Sequence, residues 1–237
     1  MFESRCRCSE YFVTGERNKR ALSRSRIYLQ PFRRSNNRGQ FVVLAGPDGS
    51  GKSTVASLLS DSLGAQVMYW RPGLLPMLAR LAGRTQSDTI NSNPHGRPID
   101  GWIKALFRST YYGIDFILGS HLMVGRRIQS GKYVIADRWV YDMVVDPRRY
   151  GLKSAGVLSW LSRFCRRPDL LVVLEADPSV ILARKAELPL SEITRQYSDW
   201  AVLAQTFKRS VRVSTNEHPQ ISVQLILNEL LSDMSPK

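Results

Sequence analysis

Apolar positions along the chain fall into two kinds of run. Phe41-Val42-Val43-Leu44-Ala45, Lys132-Tyr133-Val134-Ile135-Ala136 and Leu170 to Glu175 are continuous and of strand length, the pattern of parallel strands buried on both faces. Between them the period lengthens. Val55, Leu58 and Leu59 recur at i, i+3 and i+4 and stop at Gly64, which predicts a helix after the glycine-rich turn that ends at Gly51. Gln66 to Trp70 reads as a further strand, leading into a helix from about Leu74 to Ala82 and a polar loop over Gly83 to Pro98. Trp102 to Gln129 carries Trp102, Leu106, Phe107, Ile114, Ile117 and Leu118 at helical spacing; Gly113 and Gly119 interrupt it, so it fits two helices or one bent helix. Pro178 to Arg184 and Leu190 to Arg209 read as helices, Val211 to Ser214 as a short strand and Gln220 to Leu231 as a closing helix. Strands alternating with helices call for a parallel sheet covered on both faces, a three-layer α/β domain.

Composition narrows the class. At 237 residues and 26.9 kDa the chain suffices for one such domain, over residues 41–232, and not for two. No apolar run reaches membrane-spanning length, and Met1 to Glu10 carries charge where a signal peptide would be apolar, so the expectation is a soluble, cytoplasmic chain without a transmembrane segment. Three cysteines, with Cys6 and Cys8 too close for CxxC spacing, provide neither a disulfide framework nor a zinc site, and His95, His121 and His218 are scattered. The formal charge is +14, but residues 1–40 hold ten basic and three acidic residues, half of that excess. Because this segment has no apolar period, it reads as a basic, disordered N-terminal tail, the one part suited to nucleic acid or an anionic surface. The remaining, moderate excess suits polyanionic phosphates.

Gly46-Pro47-Asp48-Gly49-Ser50-Gly51-Lys52-Ser53 fits GxxxxGK[ST] between a strand and a helix. Its glycines let backbone N–H groups turn inward on phosphate oxygens, Lys52 reaches the outer phosphates of ATP, and Ser53 offers a hydroxyl to Mg²⁺. Asp137 and Arg138 stand at the carboxyl end of a buried strand, the edge where open α/β sheets bind ligands. There Asp137 is a second group for Mg²⁺ and Arg138 a partner for an acceptor's anion.

At these residues the chain resembles the thymidylate kinase family of nucleoside monophosphate kinases. Gly46 to Thr54 is similar to that family's P-loop, Arg71-Pro72-Gly73 to its Arg-Glu-Pro-Gly, Asp137-Arg138-Trp139 to its Asp-Arg-Tyr, and Leu174 to Lys185 to its fourth strand, Asp-Pro and lid-proximal arginine. The resemblance implies a P-loop NTPase fold with a five-stranded parallel sheet in the order 2-3-1-4-5. It also implies ATP and Mg²⁺ on Gly46, Asp48, Gly49, Ser50, Gly51, Lys52, Ser53 and Thr54, and a small-molecule phosphate acceptor between the second and third strands. Carried over residue by residue, it puts Asp48 on the acceptor's sugar hydroxyl, Arg71 and Arg138 on its phosphate, and Asp137 near the metal. With Gly49 in place of a P-loop arginine, the cations over the transferring phosphoryl group fall to Arg184, Lys185 and Arg195. The family's base-contacting arginine is Phe116 here, and Tyr141 to Tyr150 replaces its Ala-Tyr-Gln, so Phe116 and Asp142 become the candidates in an altered base pocket. Asp142, Asp146, Arg148 and Arg149 either recognise a different acceptor or form an ion-paired turn. The readings carried forward are dTMP kinase-like transfer to a nucleoside monophosphate, phosphorylation of a sugar or sugar phosphate, and a non-catalytic nucleotide-dependent module with a polyanion-binding tail. The chain leaves room for a homodimer.

Overall fold

The structure is a computed structural model that describes the backbone of residues 7–10 and all of residues 38–75, 101–184 and 188–232. In chain order the strands are β1 (Arg7–Glu10), β2 (Phe41–Ala45), β3 (Gln66–Tyr69), β4 (Val134–Asp137), β5 (Leu170–Glu175) and β6 (Arg209–Ser214). The helices are α1 (Lys52–Leu63), α2 (Trp102–Gly119), α3 (Arg126–Gln129), α4 (Val140–Val145), α5 (Gly156–Ser162), α6 (Pro178–Arg184), α7 (Leu190–Ala204) and α8 (Pro219–Ser232). The helix expected over Leu74 to Ala82, apart from its first two residues, and the whole polar loop over Gly83 to Pro98 lie outside the described residues, as does Lys185.

All strand pairs are parallel, in the order β1-β6-β5-β2-β4-β3. From β3 to β6 this is the 2-3-1-4-5 order of the resemblance. The sheet has a sixth strand besides: β1 pairs in register with β6, Arg7 opposite Arg209 and Glu10 opposite Arg212. It falls inside the segment read as a structureless tail. An edge strand is held by main-chain hydrogen bonds and needs no apolar alternation, so composition does not reveal it.

The strands bury both faces. Phe41, Val43 and Ala45 of β2 pack with Trp139, which precedes α4, and with Phe116, Met143, Leu158 and Trp200 from α2, α4, α5 and α7, while Val42 and Leu44 pack with Val55 and Leu59 of α1 and Val223, Ile226 and Leu230 of α8. Alternate residues of one strand thus seed two cores, as a pleated strand between two helical layers must. The stretch from Trp102 is one continuous helix through Gly119, followed by a π-helical turn over Ser120–Gly125. The glycines that look like breaks are points of close approach. A Cβ on Gly113 would stand 2.2 Å from Leu161 Cδ1, and one on Gly119 would stand 2.1 Å from the Cβ of Pro72.

Candidate active site

The site lies at the carboxyl ends of β2, β3 and β4. Gly46 leaves β2 with φ 134°, and a side chain there would put its Cβ 2.5 Å from the Leu174 carbonyl oxygen. Gly49 and Gly51 also take positive φ, so the loop curls and α1 opens with Lys52. The Lys52 ammonium is buried and donates to the carbonyl oxygens of Gly46 (2.6 Å) and Pro47 (2.7 Å) across the loop. The Ser53 hydroxyl donates to Asp137 Oδ2 at 2.7 Å, while Asp137 Oδ1 is buried without a hydrogen-bond partner among the described residues. A carboxylate oxygen left unpaired beside a hydroxyl suits a hydrated divalent cation, whose waters would satisfy it.

On the other side of the loop, Thr215 donates its hydroxyl to the Ser50 carbonyl at 3.0 Å, and Arg184 donates to the Thr215 carbonyl at 3.1 Å. Arg184 therefore flanks the glycine turn, its guanidinium 3.9 Å from where a Cβ on Gly51 would stand. Thr54 follows in the first turn of α1 and is exposed.

Two residues at the ends of β3 and β4 carry backbone strain. Trp70 (φ 65°) and Arg138 (φ 75°) are the non-glycine residues with positive φ among those described. Each follows the last residue of a strand, and those last residues, Tyr69 and Asp137, are partners in register. The left-handed conformation costs about 1–3 kcal/mol at such positions and persists where the surroundings impose it. Here it turns both side chains out of the sheet together. Arg138 donates to Asp48 Oδ1 at 2.5 Å and lies over the Tyr69 ring. Arg71 is 3.4 Å from Asp115 Oδ2, enclosed by the rings of Trp70, Tyr111 and Tyr112. Asp115 is fully buried and also accepts the backbone N–H groups of Gly73 (3.0 Å) and Leu75 (2.7 Å), so it pins the whole Arg71-Pro72-Gly73 segment to α2.

Asp142 lines the cleft and accepts the Trp139 N–H at 2.9 Å, capping α4. Burial pushes its carboxyl up to about 6, against the pull of Lys52, Arg138 and that N–H, with Asp137 adding to the rise. The cleft is bounded by Gly46, Asp48, Arg138, Asp142, Arg149 and Tyr150, among others.

Two residues named from the sequence stand elsewhere. Phe116 is fully buried, edge-on to Trp139 with ring centres 5.0 Å apart, and does not reach the cleft. A phenylalanine on the inner side of an amphipathic helix has no reason to leave the core, so the family position alone misplaced it. Arg195 is tied to Glu192 and Asp199 along α7 and donates to the Val145 carbonyl at 3.1 Å. It braces α7 against α4 instead of hanging free over the P-loop. Arg149, which the sequence leaves as either an acceptor ligand or part of an ion-paired turn, pairs with Asp48. Asp115, Trp70 and Tyr150 also stand around this candidate site and are not among the sequence candidates: a buried aspartate in an apolar helix face is a legible signal for Asp115, whereas the two aromatic residues depend on tertiary contacts.

No family model matches the chain. A probable thymidylate kinase of Pyrococcus abyssi is 29% identical over 212 residues, covering 82% of this chain and 98% of that one. One from Pyrobaculum aerophilum is 28% identical over 144 residues, covering 61% and 68% respectively, and the thymidylate kinase of Enterococcus faecalis is 23% identical over 193 residues, covering 77% and 85%. The chain is thymidylate kinase-like. The solved structure of thymidylate kinase from Candida albicans superposes with a TM-score of 0.58 at 20% identity, over 83% of this chain and 92% of that one, which shows the shared fold. Among the described residues no helix is long and apolar enough to cross a membrane.

Proposed function

We propose that this thymidylate kinase-like chain is an ATP-dependent phosphotransferase that moves the γ-phosphoryl group of ATP to the phosphate of a nucleoside monophosphate, dTMP being the first acceptor to test. The observation that carries the reading is the convergence of two anion sites on one sheet edge. The glycine turn with Lys52 faces the strained Arg138 and the caged Arg71 across the ends of β2, β4 and β3. The thymidylate kinases to which the chain is similar support the choice of acceptor class.

In this reading the loop amides of Gly46, Asp48, Gly49, Ser50 and Gly51 and the start of α1 hold the ATP phosphates, with Arg184 on the nucleotide side. Ser53 and Asp137 would hold Mg²⁺, which when bound would supply charge neutralisation to the ATP phosphates. Arg138 and Arg71 orient the acceptor phosphate, whose oxygen is itself the nucleophile, and Asp48 accepts a sugar hydroxyl. No side-chain nucleophile is needed, because positioning and charge neutralisation supply the acceleration.

An assay of the full chain with Mg-ATP against nucleoside monophosphates, nucleosides, sugars and sugar phosphates tests the reading. Turnover confined to nucleoside monophosphates is the expected result. A preference for a sugar or sugar phosphate would reassign the acceptor, and no turnover with any of them would leave a nucleotide-binding module. Lys52→Ala should lower kcat by roughly 10²–10³-fold, the loss typical when one transition-state cation is removed, with the circular-dichroism spectrum unchanged.

A further inference from the structure

We propose that Arg149 is a ligand of the acceptor's phosphate, acting with Arg138 as one two-guanidinium site. The inference rests on the phosphotransferase reading and adds a residue and a substrate requirement to it. Arg149 belongs to the 3₁₀ turn Arg148–Tyr150, and its guanidinium donates to Asp48 Oδ2 while Arg138 donates to Oδ1 of the same carboxylate. Asp48 is buried and both arginines are largely so.

Arg138 and Arg149 therefore share the one carboxylate of Asp48; Asp142 and Asp146 also line the cleft, so what the pair offers a ligand is two converging guanidinium forks next to the P-loop and not a net positive charge. A phosphomonoester dianion fits this arrangement: it has charge for both guanidiniums and enough oxygens for a bidentate contact to each. When it takes the arginines, the carboxylate of Asp48 is released and can accept a hydroxyl from the same molecule. The site therefore selects acceptors that carry a phosphate and a hydroxyl together.

The turn is built to hold Arg149 there. Its backbone N–H is accepted by Asp146 Oδ1 at 3.2 Å, and Gly151 closes the turn with φ 73°. The Tyr150 ring lies parallel to Trp70, 7° between planes and 6.2 Å between centres, which ties the turn to the strained end of β3. The neighbouring Arg148 is exposed.

The test combines kinetics with equilibrium titration on the full chain. Arg149→Met should raise the acceptor's KM, or lower its kcat/KM, by roughly 10- to 100-fold, as for loss of one charge-assisted contact, and leave the ATP KM within about twofold. Arg149→Lys should recover part of the loss, because it restores charge without the planar fork. An equal loss toward ATP and acceptor, or acceptor kinetics unchanged in Arg149→Met, would overturn the proposal. Calorimetric titration with dTMP, thymidine and glucose 6-phosphate separates it from the reading on which it rests. If the wild type turns over no nucleoside monophosphate, the proposed function fails. The phosphate site stands only if a phosphomonoester still binds and loses affinity in Arg149→Met, and it falls if none binds or if wild type and variant bind alike.

Discussion

Asp142 is a carboxylic acid in a place that favours its neutral form. Burial, which opposes charge, pushes its pKa up to about 6 from the 3.8 of an exposed aspartate, with Lys52 and Arg138 opposing the shift and Asp137 reinforcing it. The folded protein therefore binds this proton more tightly than the unfolded chain. The stability that comes with it is full below about pH 4 and is lost as pH rises through about 6. Asparagine keeps an oxygen for the Trp139 N–H and has no proton to lose. The melting temperature of Asp142→Asn minus that of the wild type should therefore grow from pH 4.5 to pH 7.5. A difference that is flat with pH would mean that Asp142 is ionised throughout.

The residue scale also shows what a sequence can and cannot display. The P-loop, Asp137 and Arg138 are legible because their chemistry depends on neighbours within a few positions: glycine torsions, a helix start, a strand end. Arg149 is separated from Asp48 by 101 positions, and only the folded turn brings the two together. From the sequence it remained one of several charges that suited either a ligand or an ion-paired turn.

Among the elements, the buried strands were the easiest to read, because a strand covered on both faces is apolar at every position. β2, β4 and β5 match that description within two residues of their expected ends. The stretch holding α4, the 3₁₀ turn and α5 was missed for a related reason. Val140, Tyr141, Asp142, Met143 and Val145 are all buried, so a short helix surrounded by protein shows no polar face and hence no helical period. In α2 the difficulty was glycine, read as interruption where the packing uses it as a small surface. That distinction can be measured. In Gly119→Ala the new Cβ would meet the ring of Pro72 at 2.1 and 2.2 Å, and a proline ring between Arg71 and Gly73 has little freedom to yield. Helix propensity favours alanine by up to about 1 kcal/mol, but overpacking costs about 1–3 kcal/mol, so a net loss of stability is expected. The displaced segment carries Arg71, so the acceptor KM should rise while the ATP KM does not. Gly113→Ala meets the side chain of Leu161, most closely its movable Cδ1 at 2.2 Å and more loosely its Cβ at 3.0 Å, and should be milder on both counts. Equal stability of Gly119→Ala and wild type would show that Pro72 moves aside freely.

For the whole molecule, strand order separates the chemistry from the N-terminal segment. The site lies on β2, β4 and β3, and β1 is at the far edge beyond β5 and β6. Two truncations distinguish what β1 contributes from what the surrounding charge contributes. Residues 1–10 hold two arginines and two glutamates, so removing them deletes the strand without changing net charge. Residues 11–36 hold seven basic residues and one acidic, so extending the deletion to 36 removes a further +6. Loss of a four-residue edge strand costs main-chain hydrogen bonds and a little packing. At about 1 kcal/mol for a domain of this size, the melting temperature should fall by roughly 2–4 °C, with the rate on the best acceptor unchanged. Binding to heparin or DNA should survive the short deletion and weaken sharply with the long one, and in the full chain it should fall steeply with salt as condensed counterions are released. A short deletion that leaves the melting temperature unchanged would show that β1 adds nothing to the sheet in solution. Polyanion binding that survives the long deletion would move the relevant charge onto residues 37–237, where Arg71, Arg138 and Arg149 are already paired with Asp115 and Asp48.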